Sequence, residues 1–170
     1  MFTKFDRHMK LTAIIGMVFV LALSVAWATT NYYSGSVVVQ KGTTADKVIN
    51  LIQGSDKIQV KIQAQTLDDY MEEEGITEVT VTADLTKVWI DNGDGTGYYD
   101  LTFELGPSSA YFQPNPLILM VKGEYVSSNT QFWLYDETGE AVSGTRNDNA
   151  DWIKFEIPHL SCYYYESYCY

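Results

Sequence analysis

A glycine-rich segment, residues 91–97, carries the first candidates for a cation site. It reads DNGDGTG, and Asp100 follows shortly after it. An EF-hand calcium loop needs oxygen ligands at loop positions 1, 3 and 5, but with Asp91 first, glycines stand at positions 3 and 5. Asn-Gly and Asp-Gly pairs are typical of tight hairpin turns. The segment therefore predicts a β-hairpin, with a loose calcium contact from Asp91, Asp94 and Asp100 as the alternative.

Carboxylates also gather between Asp68 and Glu74, where five of the seven residues are acidic. A pair of carboxylates hydrolyses glycosides only when the two face each other across a cleft. These five share one short segment, which favours a solvated charged surface. His8 and His159 are the only histidines, and no Ser–His–acid triad is recognisable. The sequence thus predicts neither conventional catalysis nor a cofactor.

Two cysteines, Cys162 and Cys169, stand near the C-terminal end. An oxidising compartment would let them pair, and we expect both to be oxidised. Along a straight strand they would lie roughly 20 Å or more apart, too far for a disulfide. A bridge between them requires the tail to turn back near Glu166–Ser167, and a bond between two chains is the alternative. Because His159 is the only histidine nearby, a metal site is not indicated.

Five tyrosines crowd the C-terminal end, at positions 163, 164, 165, 168 and 170. In a strand, Tyr163 and Tyr165 face one way and Tyr164 the other. One of these faces is expected in the core. The other suits stacking on sugar rings or packing on a protein, because tyrosine has an apolar ring with a polar tip. Trp89 and Trp133 are candidates for the same surface, and aromatic rings that only cover each other are the alternative.

Period-two alternation of apolar and polar residues organises the chain after residue 57. It is typical of strands with one buried face, and turn residues separate successive runs. Around eight such strands predict an all-β fold, a single immunoglobulin-like antiparallel sandwich spanning residues 37–170. The alternation places ten residues in the core: Ile58, Val60, Ile62, Val79, Val81, Leu101, Phe103, Ile153, Phe155 and Ile157.

Two short helices and a lead segment complete the predicted elements. Thr44 is placed to cap a helix over Ala45–Ile52, and Leu67–Glu74 predicts a second helix that Gly75 ends. Residues 29–36 are expected to form a flexible lead.

The first 28 residues have the pattern of a secretory signal peptide. Three basic residues precede an uncharged, mostly apolar stretch from 11 to 25, and Ala-Trp-Ala then ends at Ala28. This small-x-small pattern predicts cleavage after Ala28. The apolar stretch is shorter than the ~20 residues of a membrane span, so no stable span is expected after cleavage. An uncleaved anchor is the alternative.

The predicted mature chain is strongly acidic. The whole chain has a formal charge of −11, and loss of residues 1–28 removes three basic residues and one acidic residue, which leaves −13. Such a surface repels nucleic acid and anionic lipid. Neither is therefore expected as a partner.

Three stretches of the second half carry recognisable motifs: residues 105–116, with a Gly-Pro connection, residues 132–139, an aromatic strand ending in an acidic turn, and residues 153–161, a strand followed by His-Leu-Ser. In their order and spacing these stretches resemble the ZU-five domain of ankyrins and netrin receptors, which has bacterial secreted relatives. The likeness is strongest over residues 77–165. It implies a β-sandwich that acts as a binding or structural unit, although a fold alone does not fix function.

The tripeptide His159-Leu160-Ser161 also resembles an autoproteolytic site. Some ZU-five members cleave themselves at His-Phe-Ser, and adhesion-receptor domains cleave at His-Leu-Ser or His-Leu-Thr. Ser161 would attack the carbonyl of Leu160 in an N-to-O acyl shift, and His159 would act as general base. The alternative is a turn into the last strand, with His159 hydrogen-bonded to the backbone.

Together these patterns predict an exported, noncatalytic binding or structural module. We expect it in the extracellular space or the cell envelope, in the periplasm if the source is Gram-negative. Its expected partner is an envelope or extracellular protein or a glycan, held on an aromatic surface. A self-cleaving β-sandwich is the alternative function.

Overall fold

The computed structural model describes residues 28–94, 96–108, 110–122, 130–142, 144–147 and 152–169. For residues 130–133, 147 and 165–169 it describes the backbone alone. The predicted signal peptide, apart from Ala28, lies outside these ranges. Within them, no helix has both the length and the apolar character needed to cross a membrane.

Strands dominate the described chain, as the period-two alternation predicts. A single short helix, α1, spans Asp68–Glu73 within the described ranges. The strands are β1 (Thr29–Gln40), β2 (Lys47–Ile52), β3 (Lys57–Ile62), β4 (Glu78–Asp91), β5 (Gly97–Gly106), β6 (Leu117–Lys122), β7 (Thr130–Asp136), β8 (Ala141–Val142), β9 (Gly144–Asn147), β10 (Trp152–Ile157) and β11 (Cys162–Cys169).

These strands form two antiparallel sheets packed face to face. The first has the order β1-β4-β5-β11-β7-β8, and the second has the order β2-β3-β6-β10-β9. Apolar side chains of both sheets meet in one core, which also receives Leu67, Tyr70 and Met71 from the region of α1. The predicted antiparallel β-sandwich is confirmed.

The alternation locates the core correctly. Each of the ten core residues predicted above is at most 7% exposed. The predicted hairpin at 91–97 is also confirmed, because β4 and β5 pair from Asp91↔Gly97 onward and Gly93 has a positive φ of 85°. A side chain is strained in that conformation, which glycine adopts freely.

The second predicted helix is confirmed and the first is wrong. α1 ends before Gly75, whose φ of 68° stops the helix. The segment expected as a helix over Ala45–Ile52 instead contains β2, which pairs with β3. Ile49 and Leu51 are buried while Val48 is exposed, so the buried positions follow period two. Pairing with β3 stabilises this segment as a strand, whereas an isolated short helix is only marginally stable in water.

The predicted flexible lead, residues 29–36, is corrected by the structure. These residues form the first two thirds of β1, and they pair residue by residue with β4. The sandwich therefore begins at Thr29 rather than at residue 37. Lack of strict alternation in the sequence concealed this strand, since its side chains are mostly exposed.

The C-terminal strand continues without the turn that an intrachain disulfide requires. β11 runs from Cys162 to Cys169, and Glu166 and Ser167 pair with Trp133 and Phe132 of β7. The Cys162 thiol is free. The predicted disulfide is not confirmed, because the two cysteines lie at opposite ends of one strand; the side chain of Cys169 lies outside the described part. A bond between chains stays a prediction.

Candidate functional site

The outer face of the six-stranded sheet, which the second sheet does not cover, carries the candidate site. Successive side chains of a strand point to opposite faces. Leu85 and Phe103 lie opposite each other in the register and are buried. Their neighbours Thr86 and Thr102, also paired, therefore point outward.

A row of four residues crosses this face, one from each of four adjacent strands. The register places Tyr32 of β1 opposite Thr86, Thr86 opposite Thr102, and Thr102 opposite Tyr164 of β11. We call these four residues the tyrosine row. Tyr32 is 77% exposed and Tyr164 is 45% exposed. Since strands lie about 4.8 Å apart, the two tyrosines stand about 14 Å apart, with two threonine hydroxyls between them.

A second row with hydrogen-bonding side chains runs beside the tyrosine row. It consists of Ser34, Asp84, Glu104 and Cys162, again one from each strand. A shallow depression of about 340 Å³ lies over the part of both rows that β1, β4 and β5 contribute, and its lining includes Tyr32, Thr86, Asp84 and Glu104. The depression thus combines an exposed ring with hydroxyl and carboxylate oxygens.

Tyr164, at the β11 end of the tyrosine row, interacts with residues of the second row. The pKa of its phenol is raised, mainly because the hydroxyl hydrogen-bonds to the side chain of Cys162. The carboxylates of Glu104 and Glu137 raise the pKa further, since negative charge opposes loss of the phenolic proton. The phenol is neutral at pH 7, as an ordinary tyrosine with a pKa of ~10 also is.

The charge of this face is negative. On β1, β4, β5 and the described side chains of β11, the outward-facing charged residues are all acidic: Glu78, Asp84, Asp100 and Glu104. Lys87 belongs to the opposite, inward-facing set, where it is 9% exposed. This face therefore repels anions and favours neutral or positively charged groups.

Trp89 does not belong to the tyrosine row. It lies opposite Tyr99 in the register, on the inward-facing side of the sheet near the hairpin. The two rings pack with centroids 4.8 Å apart, and the ammonium of Lys87 lies 4.0 Å from the Tyr99 ring centroid. These aromatic side chains cover each other, which is the alternative that the sequence left open for them.

The C-terminal tyrosines divide between core and surface, as strand alternation requires. Tyr163 is fully buried, so it is unavailable to a ligand and its place in the predicted binding set is corrected. Burial also raises the pKa of its phenol. Tyr164 points outward. The side chains of Tyr165 and Trp133 lie outside the described part of the chain.

The predicted cleavage site is held firmly by its main chain. The N–H of Leu160 donates to the carbonyl of Ala110 at 2.8 Å, and the N–H of Leu105 donates to the carbonyl of Ser161 at 2.9 Å. Ser161 is 5% exposed, and its hydroxyl has no hydrogen-bond partner among the described residues. A buried hydroxyl without a partner is unusual in folded proteins.

His159, the predicted general base, contacts a different hydroxyl. Its Nδ1 lies 3.3 Å from the hydroxyl of Tyr163, which donates to the His159 carbonyl oxygen at 2.8 Å. The imidazole makes no hydrogen bond to the Ser161 hydroxyl, which has no partner among the described residues. Residues 158–161 contain no positive φ, the conformation in which a side chain would be strained.

Two of the carboxylates considered as calcium ligands, those of Asp91 and Asp94, accept hydrogen bonds within the hairpin. Asp91 accepts from the N–H of Gly93 at 2.6 Å, and Asp94 accepts from the N–H of Thr96 at 2.9 Å. The pKa of Asp94 is lowered by its bonds to Thr96. Asp91 and Asp100 stand on opposite faces of the sheet by their register, so the three do not converge. No cluster of metal-ligating side chains occurs among the described residues.

Residues around α1 bind their own chain rather than forming a cleft. The carboxylate of Asp68 accepts from the N–H of Gly42 at 3.0 Å, and Glu72 pairs with Lys41 at 3.1 Å. Glu73 accepts from the Tyr111 hydroxyl at 2.7 Å. The acidic segment is thus a charged surface that anchors neighbouring loops, as the sequence favoured.

The sequence missed Tyr32, the most exposed large apolar residue of the face. It lies in the segment interpreted as a lead. The adjacent pair Tyr32-Tyr33 was the available signal, because two neighbouring tyrosines in a strand place one ring on each face.

Comparison with known proteins adds no assignment. No protein-family model matches the chain, and no curated protein or solved structure matches it. The resemblance to the ZU-five domain stays a prediction.

Proposed function

We propose that this protein is an exported, noncatalytic binding module that holds a neutral glycan on the tyrosine row. The observation that carries the proposal is the placement of Tyr32 and Tyr164, both exposed, at the two ends of a hydroxyl-bearing row on an open sheet face. The apparent signal peptide supports a partner outside the cytoplasm.

Sugar rings offer apolar faces edged with hydroxyls, and the row offers complementary groups. A tyrosine ring stacks on an apolar face and presents a polar tip. Thr86 and Thr102 supply hydroxyls between the two rings, and Asp84 and Glu104 supply acceptors beside them. The ~14 Å between the tyrosines is more than one sugar ring spans, so the row suits an oligosaccharide or polysaccharide chain.

The negative charge of the face disfavours an acidic glycan and is compatible with a neutral one. An acidic polysaccharide would meet the carboxylates of Asp84 and Glu104 on that face, and like charges repel. A protein partner is the competing occupant, since exposed tyrosines also serve protein interfaces.

Retention on insoluble cellulose, chitin and β-1,3-glucan tests the proposal. We expect retention on at least one matrix, and a loss of about tenfold or more in affinity for Tyr32→Ala and for Tyr164→Ala. Tyr98→Ala is the matched control, because Tyr98 is 40% exposed on the same face but lies outside the row.

Four results would count against the proposed noncatalytic glycan-binding function. Absence of retention on all three matrices would remove its basis, and equal losses for the row and control variants would move the site elsewhere. Capture of one defined envelope protein, lost on Tyr32→Ala, would reassign the row to a protein. Release of soluble sugar from a matrix would show that the module is catalytic.

A second candidate function is self-cleavage between Leu160 and Ser161, supported by the buried and unpartnered Ser161 hydroxyl. The hydroxyl oxygen would attack the Leu160 carbonyl carbon, the peptide C–N bond would break, and the amine of Ser161 would take a proton. Water would then hydrolyse the resulting ester. His159 would have to turn from Tyr163 to accept the hydroxyl proton.

Intact mass spectrometry under denaturing conditions tests self-cleavage. We would expect a fragment that ends at Leu160 and disappears in Ser161→Ala. A single species that ends at Tyr170 in both proteins would exclude the reaction. The same spectrum reports the predicted signal cleavage, which gives a chain that begins at Thr29.

A further inference from the structure

The sandwich has four edge strands in its described part, and these strands differ in length and in the regularity of their pairing. β8 has two residues and β9 has four. β2 has six, with a register shift between Asn50 and Ile52. β1 has twelve, and it pairs with β4 without any shift from Thr29 to Gln40. β1 is thus the longest and most regular of the four edges.

β1 also lacks the features that normally prevent an edge strand from pairing with another chain. Natural edge strands are kept apart by charged side chains, prolines, bulges or short length. The β1 sequence, TTNYYSGSVVVQ, contains no charged residue and no proline. In a chain with a net charge of −11, twelve consecutive uncharged side chains on an edge that no other described strand covers indicate a partner.

We infer that β1 pairs antiparallel with β1 of a second copy, about a two-fold axis at Gly35. The six-stranded sheets of the two copies then form one continuous sheet. In this register, the numbers of two directly opposed residues, one from each copy, add up to 70. Directly opposed residues of antiparallel strands share a face of the sheet. The two numbers must therefore add up to an even value if the outer faces of the two copies are to form one continuous face.

This register is self-complementary on both faces of the sheet. On the outer face, Tyr32 lies opposite Val38 of the second copy, and these residues are 77% and 47% exposed in the single chain. On the inner face, Tyr33 lies opposite Val37, and both already pack partly against the core. Aromatic residues opposite β-branched residues are favourable cross-strand pairs. Each pair occurs twice because of the two-fold axis.

The residue on the axis fits its position. Gly35 has no side chain, and a Cβ there would lie 2.5 Å from Cγ2 of Ile49, so β2 packs closely under the centre of β1. Ser34 and Ser36 face each other on either side of the axis, and both are exposed. The centre of the pairing is therefore small and uncharged, which lets two acidic chains approach without like charges in contact.

Sedimentation velocity on the purified protein, in the form that the cell accumulates, tests the pairing. We expect a dimer that dissociates on dilution. The variant Ser34→Lys/Ser36→Lys places lysine opposite lysine twice across the axis, and we expect the dissociation constant to rise about tenfold or more. The matched variant Ser34→Lys/Ser36→Glu places opposite charges at the same two contacts, and we expect it to restore the dimer.

The two double variants test the register as well as the surface. At about 0.1 mM protein, even a weak dimer with a dissociation constant of ~10 µM would form. A wild-type protein that is still monomeric at that concentration overturns the inference. So does a dimer that both variants leave unchanged. Equal weakening by both variants excludes the register about Gly35.

Hydrogen exchange keeps the test decisive if the lysine variant does not fold. Pairing protects the main-chain amides on the free edge of β1, so we expect their exchange in the wild-type protein to speed up on dilution. Amides of β3, which lies within the second sheet, serve as the internal control. Exchange in β1 that does not depend on protein concentration overturns the inference.

Discussion

Replacement of Gly35 by alanine tests how β1 is joined to the second sheet. The new Cβ would lie 2.5 Å from Cγ2 of Ile49, while Ile49 Cβ and Leu51 Cδ2 would both be 3.9 Å away. Carbon atoms pack best at about 3.5–4.0 Å, so a single methyl group is overlapped by roughly 1 Å. The strain is thus confined to one contact between β1 and β2.

The cost of the substitution follows from that contact. Overpacking costs about 1–3 kcal/mol, and the smaller entropy of the unfolded chain returns about 0.4–1 kcal/mol. We expect Gly35→Ala to lower the free energy of unfolding by about 1–2 kcal/mol. Ile49→Ala removes the overlapped methyl and leaves a cavity, at a cost of about 2–5 kcal/mol.

The double variant carries the decisive information. In Gly35→Ala/Ile49→Ala the new methyl group fills part of the cavity, so the cost should be about 1–2 kcal/mol less than the sum of the single costs. Urea unfolding of all four proteins measures this coupling, with an unchanged m-value as the check on two-state behaviour.

A matched control shows whether the coupling is local. Gly144 on β9 contacts Phe155, since a Cβ there would lie 2.7 Å from its ring. β9 and β2 are the opposite edges of their sheet, so Gly144→Ala and Ile49→Ala should be additive. Additive costs for Gly35→Ala and Ile49→Ala as well would refute the contact argument.

Two further predictions concern side-chain hydrogen bonds. Tyr163→Phe should cost about 0.5–2 kcal/mol in urea unfolding, because the phenol donates to the His159 carbonyl at 2.8 Å; an unchanged midpoint would contradict this. The pKa of Asp136 is lowered by hydrogen bonds from Thr138 and the Glu140 N–H. Ionised Asp136 therefore stabilises the fold at pH values above the usual carboxyl pKa of ~4. This stabilisation is lost as the pH falls through the lowered pKa of the folded state. Asp136→Ala should therefore lower Tm at pH 7 and have a smaller effect near pH 2, and a Tm difference independent of pH would contradict the assignment.

The sequence determined the fold class and most of the core. Period-two alternation indicates strands with one solvent-exposed face and one buried face. Residues such as Val81, Phe103 and Phe155 are accordingly buried. Glycine at positions that need positive φ, such as Gly75 and Gly93, likewise marked the end of α1 and the hairpin. These signals are local and need no knowledge of the partner strand.

The sequence was misleading where a segment's structure depends on its neighbours. Residues 47–52 carry apolar side chains at both helical and strand spacing, and pairing with β3 decides for the strand. Residues 29–36 show little alternation, yet the full-length pairing with β4 orders them. In both cases, main-chain hydrogen bonds to a distant segment outweigh the weak local preference.

The candidate site likewise depends partly on local sequence and partly on the tertiary structure. The sequence by itself determined that tyrosines at 163 and 164 take opposite faces, because alternation in a strand is a local property. Only the tertiary structure decided that Tyr164 shares a row with Tyr32, and that Trp89 lies on the other side of the sheet. The order and register of strands far apart in the chain set those positions, and both depend on which edges meet and which side chains fill the space between the sheets.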